Sequence, residues 1–115
     1  MPLIRVTLDH AVPKEHEFSL LGRLCAEAAS ALSKPESAFM GVMHTATAIM
    51  AGQRGPAALV ELSSIGGLTP EANRRLVKRM TEVLASDLRV PAARVYIILA
   101  DIAPTHWGHD GRTFG

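Results

Sequence analysis

The apolar and polar positions of this chain alternate in two periods, and the changes between them mark its elements. Leu3-Ile4-Arg5-Val6-Thr7-Leu8 is a run of aliphatic and β-branched residues closed by Asp9-His10 and Pro13, which predicts a strand over 3–8. From 14 to 32 the apolar positions Phe18, Leu21, Cys25, Ala28 and Leu32 recur at intervals of three or four, predicting an amphipathic helix with that stripe buried. Pro35 ends it, since a proline biases the residue before it away from the helical region. Phe39 to Thr45 predicts a second strand, in which Gly41 marks a close approach of another group to the backbone.

The segment Ile49 to Pro56, with its Gly52-Gln53-Arg54-Gly55-Pro56 turn signature, divides the chain, and the same grammar then returns. Ala57 to Ser63 predicts a strand and Gly66-Gly67 a break. Thr69-Pro70 starts a second helix with the buried stripe Leu76, Met80, Val83 and Leu84, ending near Leu88. Val90-Pro91 then stands where Lys34-Pro35 stood, and Arg94 to Ile102 is an almost continuous apolar strand. This is a duplicated β-α-β unit. The fold class is therefore α+β: a four-stranded mixed sheet with both helices on one face. No helix remains for the other face, yet Val95-Tyr96-Ile97-Ile98-Leu99-Ala100 is apolar on both sides. Other copies of the chain are the expected cover, which makes a homo-oligomer. In the tail, Trp107, Gly108, Gly111 and Phe114 predict a loop that docks through its aromatic residues.

Composition narrows the classes. The chain has 115 residues, 48% of them hydrophobic, enough for one domain (1–115) with a real core. A net charge of +1 with 20% charged residues indicates no nucleic-acid surface, and Arg74, Arg75, Lys78 and Arg79 read as a solvated helix face. Cys25 is the single cysteine, so no intrachain disulfide or C-x-x-C pair exists. No apolar run reaches the ~18 residues of a membrane span, and the expected location is cytoplasmic. The five histidines (10, 16, 44, 106, 109) lack paired ligand spacing, so no metal is expected.

The candidate chemistry lies at the start. A small residue in second place lets the initiator Met1 be removed, which would leave Pro2 with a free secondary amine at the head of a strand. Desolvation or a nearby cation lowers the pKa of such an amine below the usual α-amino range of ~7.7–8.0, making it a base at neutral pH. If Met1 stays, that nitrogen is an amide without basicity. From the residues alone, a second reading stands beside the first: Pro2 is a tolerable strand-end residue, where its missing N–H costs no ladder bond. Lys34 by itself likewise reads as a solvent-facing lysine after a helix.

Seven blocks move both readings: Met1-Pro2-Leu3, Ser33-Lys34-Pro35-Glu36-Ser37, Gly55-Pro56-Ala57-Ala58, Ser63-Ser64-Ile65-Gly66, Pro70-Glu71-Ala72-Asn73, Arg94-Val95-Tyr96-Ile97, and Trp107 through Phe114. In this order they resemble the macrophage migration inhibitory factor family, across the whole chain. The resemblance implies the tautomerase fold, a homotrimer with active sites between adjacent subunits, and keto–enol tautomerisation of phenylpyruvate-like 2-oxo acids and dopachrome-type compounds with no cofactor. It implies Pro2 as general base and Lys34 as the cation that binds the substrate carboxylate. It also implies Ile65 at the pocket border, Tyr96 as a wall from the neighbouring subunit, and Trp107 and Phe114 at the rim. Ile98 stands where the vertebrate factor has an asparagine, so the pocket is expected to be more apolar; His109 stands where the family commonly has a second tryptophan and Ala38 where a tyrosine often sits, so the rim is expected to be wider and less aromatic. The missing C-x-x-C motif leaves the family's oxidoreductase activity without a basis here. The alternative the resemblance allows is a cytokine-like signalling protein that keeps the trimer without catalysis.

Overall fold

A computed structural model describes residues 1–115. Its strands are β1 (Pro2–Leu8), β2 (Met40–Thr45), β3 (Ala58–Ser64) and β4 (Val95–Asp101), and its helices α1 (Lys14–Leu32) and α2 (Pro70–Leu88). The sheet order is β2-β1-β3-β4, with β1 parallel to β2, β3 parallel to β4, and the two halves joined antiparallel through β1 and β3. This is the predicted four-stranded mixed sheet. Period-two alternation turns Ile4, Val6 and Leu8 of β1, and Val60 and Leu62 of β3, into the layer beneath the helices, each at most 2% exposed.

The two helices enter the core differently. In α2 the Thr69 hydroxyl accepts the Ala72 N–H (3.1 Å), Pro70 sits in the first turn, and Leu76, Met80, Val83 and Leu84 are buried as the pattern predicts. In α1 the expected stripe is corrected. Phe18 is 83% exposed, Leu21 and Cys25 are half-buried, and Leu20 and Leu24 fill the core with Ala28 and Leu32. The reason is position: α1 overhangs the edge strand β2, so one flank of its apolar face meets the sheet margin instead of the core. There Gly41 makes the close approach its sequence context suggested. A Cβ at that residue would lie 3.2 Å from Cys25 Sγ and 3.3 Å from Leu21 Cδ2.

The duplication extends to the details of the chain path. Ser33 (φ 54°) and Arg89 (φ 56°) close their helices in the left-handed conformation. Each is followed by one residue, a proline and a 3₁₀ turn, Glu36–Ala38 or Ala92–Arg94, before the next strand. The bond from Ala46 N–H to Leu8 O (2.8 Å) in the first half has its counterpart from Ile102 N–H to Ser64 O (2.9 Å) in the second. Observed strand limits differ from the predicted ones by a residue, because pairing rather than hydrophobicity sets where a strand stops.

The tail has more structure than the predicted loop: a 3₁₀ turn (Pro104–His106) leads into a hairpin of β5 (Gly108–His109) and β6 (Arg112–Thr113). Asp110 (φ 51°) and Gly111 (φ 77°) supply the two positive φ angles that a tight two-residue turn demands. On the sheet face away from the helices, Tyr96 and Ile98 are 64% and 56% exposed.

Candidate active site

The site forms where β1 begins and β3 ends. Pro2 is buried, and its cross-strand partner is Ser64, the last residue of β3. The chain then turns through Ile65-Gly66-Gly67, with Gly66 at φ +73° and Gly67 at φ +84°. Lys34 arrives from the end of α1 and donates from Nζ to the Ile65 carbonyl oxygen at 2.7 Å. Pro2, Lys34 and Ile65, far apart in sequence, are thus brought to one corner. The duplication underlines how particular this lysine is, because its counterpart in the second half, Val90, is fully buried in the core.

Local packing holds the lysine in place. A Cβ on Gly67 would sit 3.1 Å from Lys34 Cε, so glycine suits this position by its φ of +84° and keeps the lysine from being pressed aside. The three N–H bonds of an ammonium are not exhausted by one carbonyl, and the remaining donors can meet an anion. Burial first, and then the Lys34 charge, hold the chain-terminal amine, here that of Met1, below its ordinary value of 8.0. An amine at this corner is therefore easier to deprotonate than one in solvent.

Other predicted residues lie elsewhere on the chain. Tyr96 pairs with Leu59, five positions before the Asp101–Ser64 pair that lines up with Pro2, a separation of about 17 Å along the strand. Ile98 shares the open face with Tyr96. Neither reaches Pro2 of its own chain. Trp107 lines a cleft of about 260 Å³ with Leu3, Ser63, Ile102 and His106, at the Pro2 end of the sheet. Phe114 is 44% exposed, its ring stacked on His109 at 5.9 Å, and its N–H bonds to Trp107 O at 3.1 Å. His109, expected to thin the rim, thus forms part of an aromatic stack.

Two residues at the corner escaped the sequence reading. Ser64, fully buried, donates from Oγ to Gly66 O (2.8 Å), and Asp101 Oδ1 accepts the Gly66 N–H (3.0 Å). Asp101 had a signal, as the one charge ending an apolar strand. No three histidine, cysteine or acidic side chains converge as a metal site would need, and no helix is long and apolar enough to cross a membrane.

A two-helix cover over a duplicated sheet, with a proline at the head of its first strand and a lysine braced beside it, defines the tautomerase class of fold. The family model described as "Macrophage migration inhibitory factor (MIF)" matches residues 1–115, and the chain belongs to that family. A macrophage migration inhibitory factor homolog of Brugia malayi is 32% identical over 111 residues, covering 95% of this chain and 96% of its own. Among solved structures, the factor from Toxoplasma gondii superposes with a TM-score of 0.93 at 26% identity, over 97% of this chain and 99% of its own. The homologue from Prochlorococcus marinus gives 0.92 at 29%, over 98% and 99%.

Proposed function

We propose that this protein is a cofactor-independent keto–enol tautomerase of 2-oxo acids of the phenylpyruvate kind, and of dopachrome-type compounds, with Pro2 as its base once Met1 has been removed. The observation that carries this reading is Lys34: its ammonium is braced on Ile65 O at 2.7 Å beside the strand head, where the terminal amine is depressed. In the proposed step the substrate carboxylate pairs with Lys34. The Pro2 nitrogen takes the proton from the carbon next to the carbonyl, and the resulting ammonium returns a proton to the carbonyl oxygen, giving the enol. The reverse path gives the ketone. Atoms and charge balance without an oxidant, a metal or a covalent intermediate. Membership of the family supports isomerase chemistry in general, and the exposed Tyr96 and Ile98 support assembly into a trimer in which a neighbour completes the pocket.

The test begins with the intact mass of the purified chain, to establish that Pro2 is the first residue. Ketonisation of enol-phenylpyruvate is then followed on that protein and on a form that keeps Met1, whose Pro2 nitrogen is an amide, with a loss of about 10²–10⁴-fold expected for removal of a general base. Equal rates in the two proteins, or no turnover by the processed protein across a panel of 2-oxo acids, would overturn the reading.

A further inference from the structure

We propose that Asp101 is a positioning residue of this site: it clamps the Ile65–Gly66 peptide so that the Ile65 carbonyl holds the Lys34 ammonium toward the strand head. The inference deepens the tautomerase reading and rests on it for its catalytic consequence, though not for its geometry.

Three side chains converge on the Ile65-Gly66-Gly67 turn after β3. Lys34 Nζ takes the Ile65 carbonyl (2.7 Å), Ser64 Oγ takes the Gly66 carbonyl (2.8 Å), and Asp101 Oδ1 takes the Gly66 N–H (3.0 Å). Gly66 N and Ile65 O belong to the same peptide unit, which is planar. A clamp on one end of that plane therefore fixes the direction of the other. Two consecutive glycine-containing peptides with positive φ have little stiffness of their own, so the side chains must supply it. Asp101 is itself well anchored. It pairs with Ser64 as the last residue of β4, and the next N–H, of Ile102, bonds to Ser64 O (2.9 Å). Only Asp101 contributes a formal negative charge to the clamp, and charge-assisted bonds to a backbone N–H are stronger than neutral ones. The register sets Pro2, Ser64 and Asp101 side by side on three neighbouring strands, so the clamp and the amine share one end of the sheet.

The test compares Asp101→Ala, Asp101→Asn and the parent, each first checked for unchanged circular dichroism and oligomeric state. Asn retains an acceptor oxygen and serves as the rescue. In Asp101→Ala the Gly66 amide should exchange with solvent about tenfold faster, and KM for phenylpyruvate should rise about tenfold with a smaller change in kcat, because carboxylate binding by Lys34 is loosened. With Lys34 free to swing away, the ¹⁵N-detected titration of the terminal amine should move to higher pH. Lys34 is the charged group that acts on that amine, and because Asp101→Ala and Asp101→Asn lose the same carboxylate charge, the difference between those two variants isolates the movement of Lys34. Asp101→Asn should lie close to the parent in all three. Unchanged Gly66 exchange and an unmoved amine titration in Asp101→Ala would overturn the clamp even if Pro2-dependent turnover stands. The exchange and titration readouts need no turnover, so they also stand if the tautomerase reading fails.

Discussion

In the proposed mechanism Lys34 acts on Pro2 through a single physical fact, that a cation near a basic nitrogen makes its protonated form costlier. Removing the cation should therefore raise the amine pKa, and with it the pH at which activity appears. Lys34→Ala is expected to shift the acid limb of the kcat/KM profile upward, toward the ordinary amine value, and to raise KM for the acid substrate. An unshifted limb would separate the lysine from the base. Gly67→Ala should imitate part of this, since its Cβ would press on Lys34 Cε from 3.1 Å. At this scale the sequence was partly readable. Pro2, Lys34 and Ile65 could be picked out because they sit in blocks with a family likeness. Ser64, though inside one of those blocks, and Asp101, though the one charge ending an apolar strand, were not, because a serine and an aspartate at strand ends look like ordinary punctuation until their partners are known.

Among the elements, α1 shows where periodicity stops being sufficient. An intermediate-width apolar face is compatible with more than one rotation of the helix. Phe18 could be assigned to the buried side only if α1 lay over the middle of the sheet, whereas it lies over an edge. Contact with that edge makes a prediction. Gly41→Ala should destabilise the fold by about 1–3 kcal/mol through overpacking against Cys25 and Leu21, and combining it with Cys25→Ala should recover part of the loss in urea denaturation. The start of α2 offers another. Thr69→Ala removes the acceptor for Ala72 N–H and should cost about 1 kcal/mol by the same measurement.

The connection between the halves is sensitive to acid. Burial pushes the Asp9 carboxyl up, but the bonds from His10 (2.8 Å) and from Ala57 N–H (3.0 Å) outweigh it and leave Asp9 below its ordinary value. A folded pKa below the unfolded one means stability present above the unfolded value and lost as pH falls through the folded one. Urea midpoints should therefore drop as pH falls below ~3.9, and less steeply in Asp9→Asn.

For the whole molecule, the open sheet face is the unfinished part. Tyr96 and Ile98 stand exposed on it, about 17 Å and about 10 Å along the strand from the Asp101–Ser64 pair that lines up with Pro2, so Tyr96 can meet a Pro2 corner only in another copy. Ile98→Asp should yield monomers by light scattering after gel filtration, with ketonisation lost together with the assembly. An active monomer would show that one chain suffices.

The order of strands and helices, their duplication, the α2 core stripe and the need for something to cover β4 were determined by the sequence alone, because each is a local matter of period, cap and turn residue. The rotation of α1, the hairpin in the tail and the corner where Lys34, Ile65, Gly66 and Asp101 meet Pro2 were decided by tertiary structure. Those features depend on which strand lies beside which, and strand register brings together residues whose separation along the chain carries no trace of their distance in space.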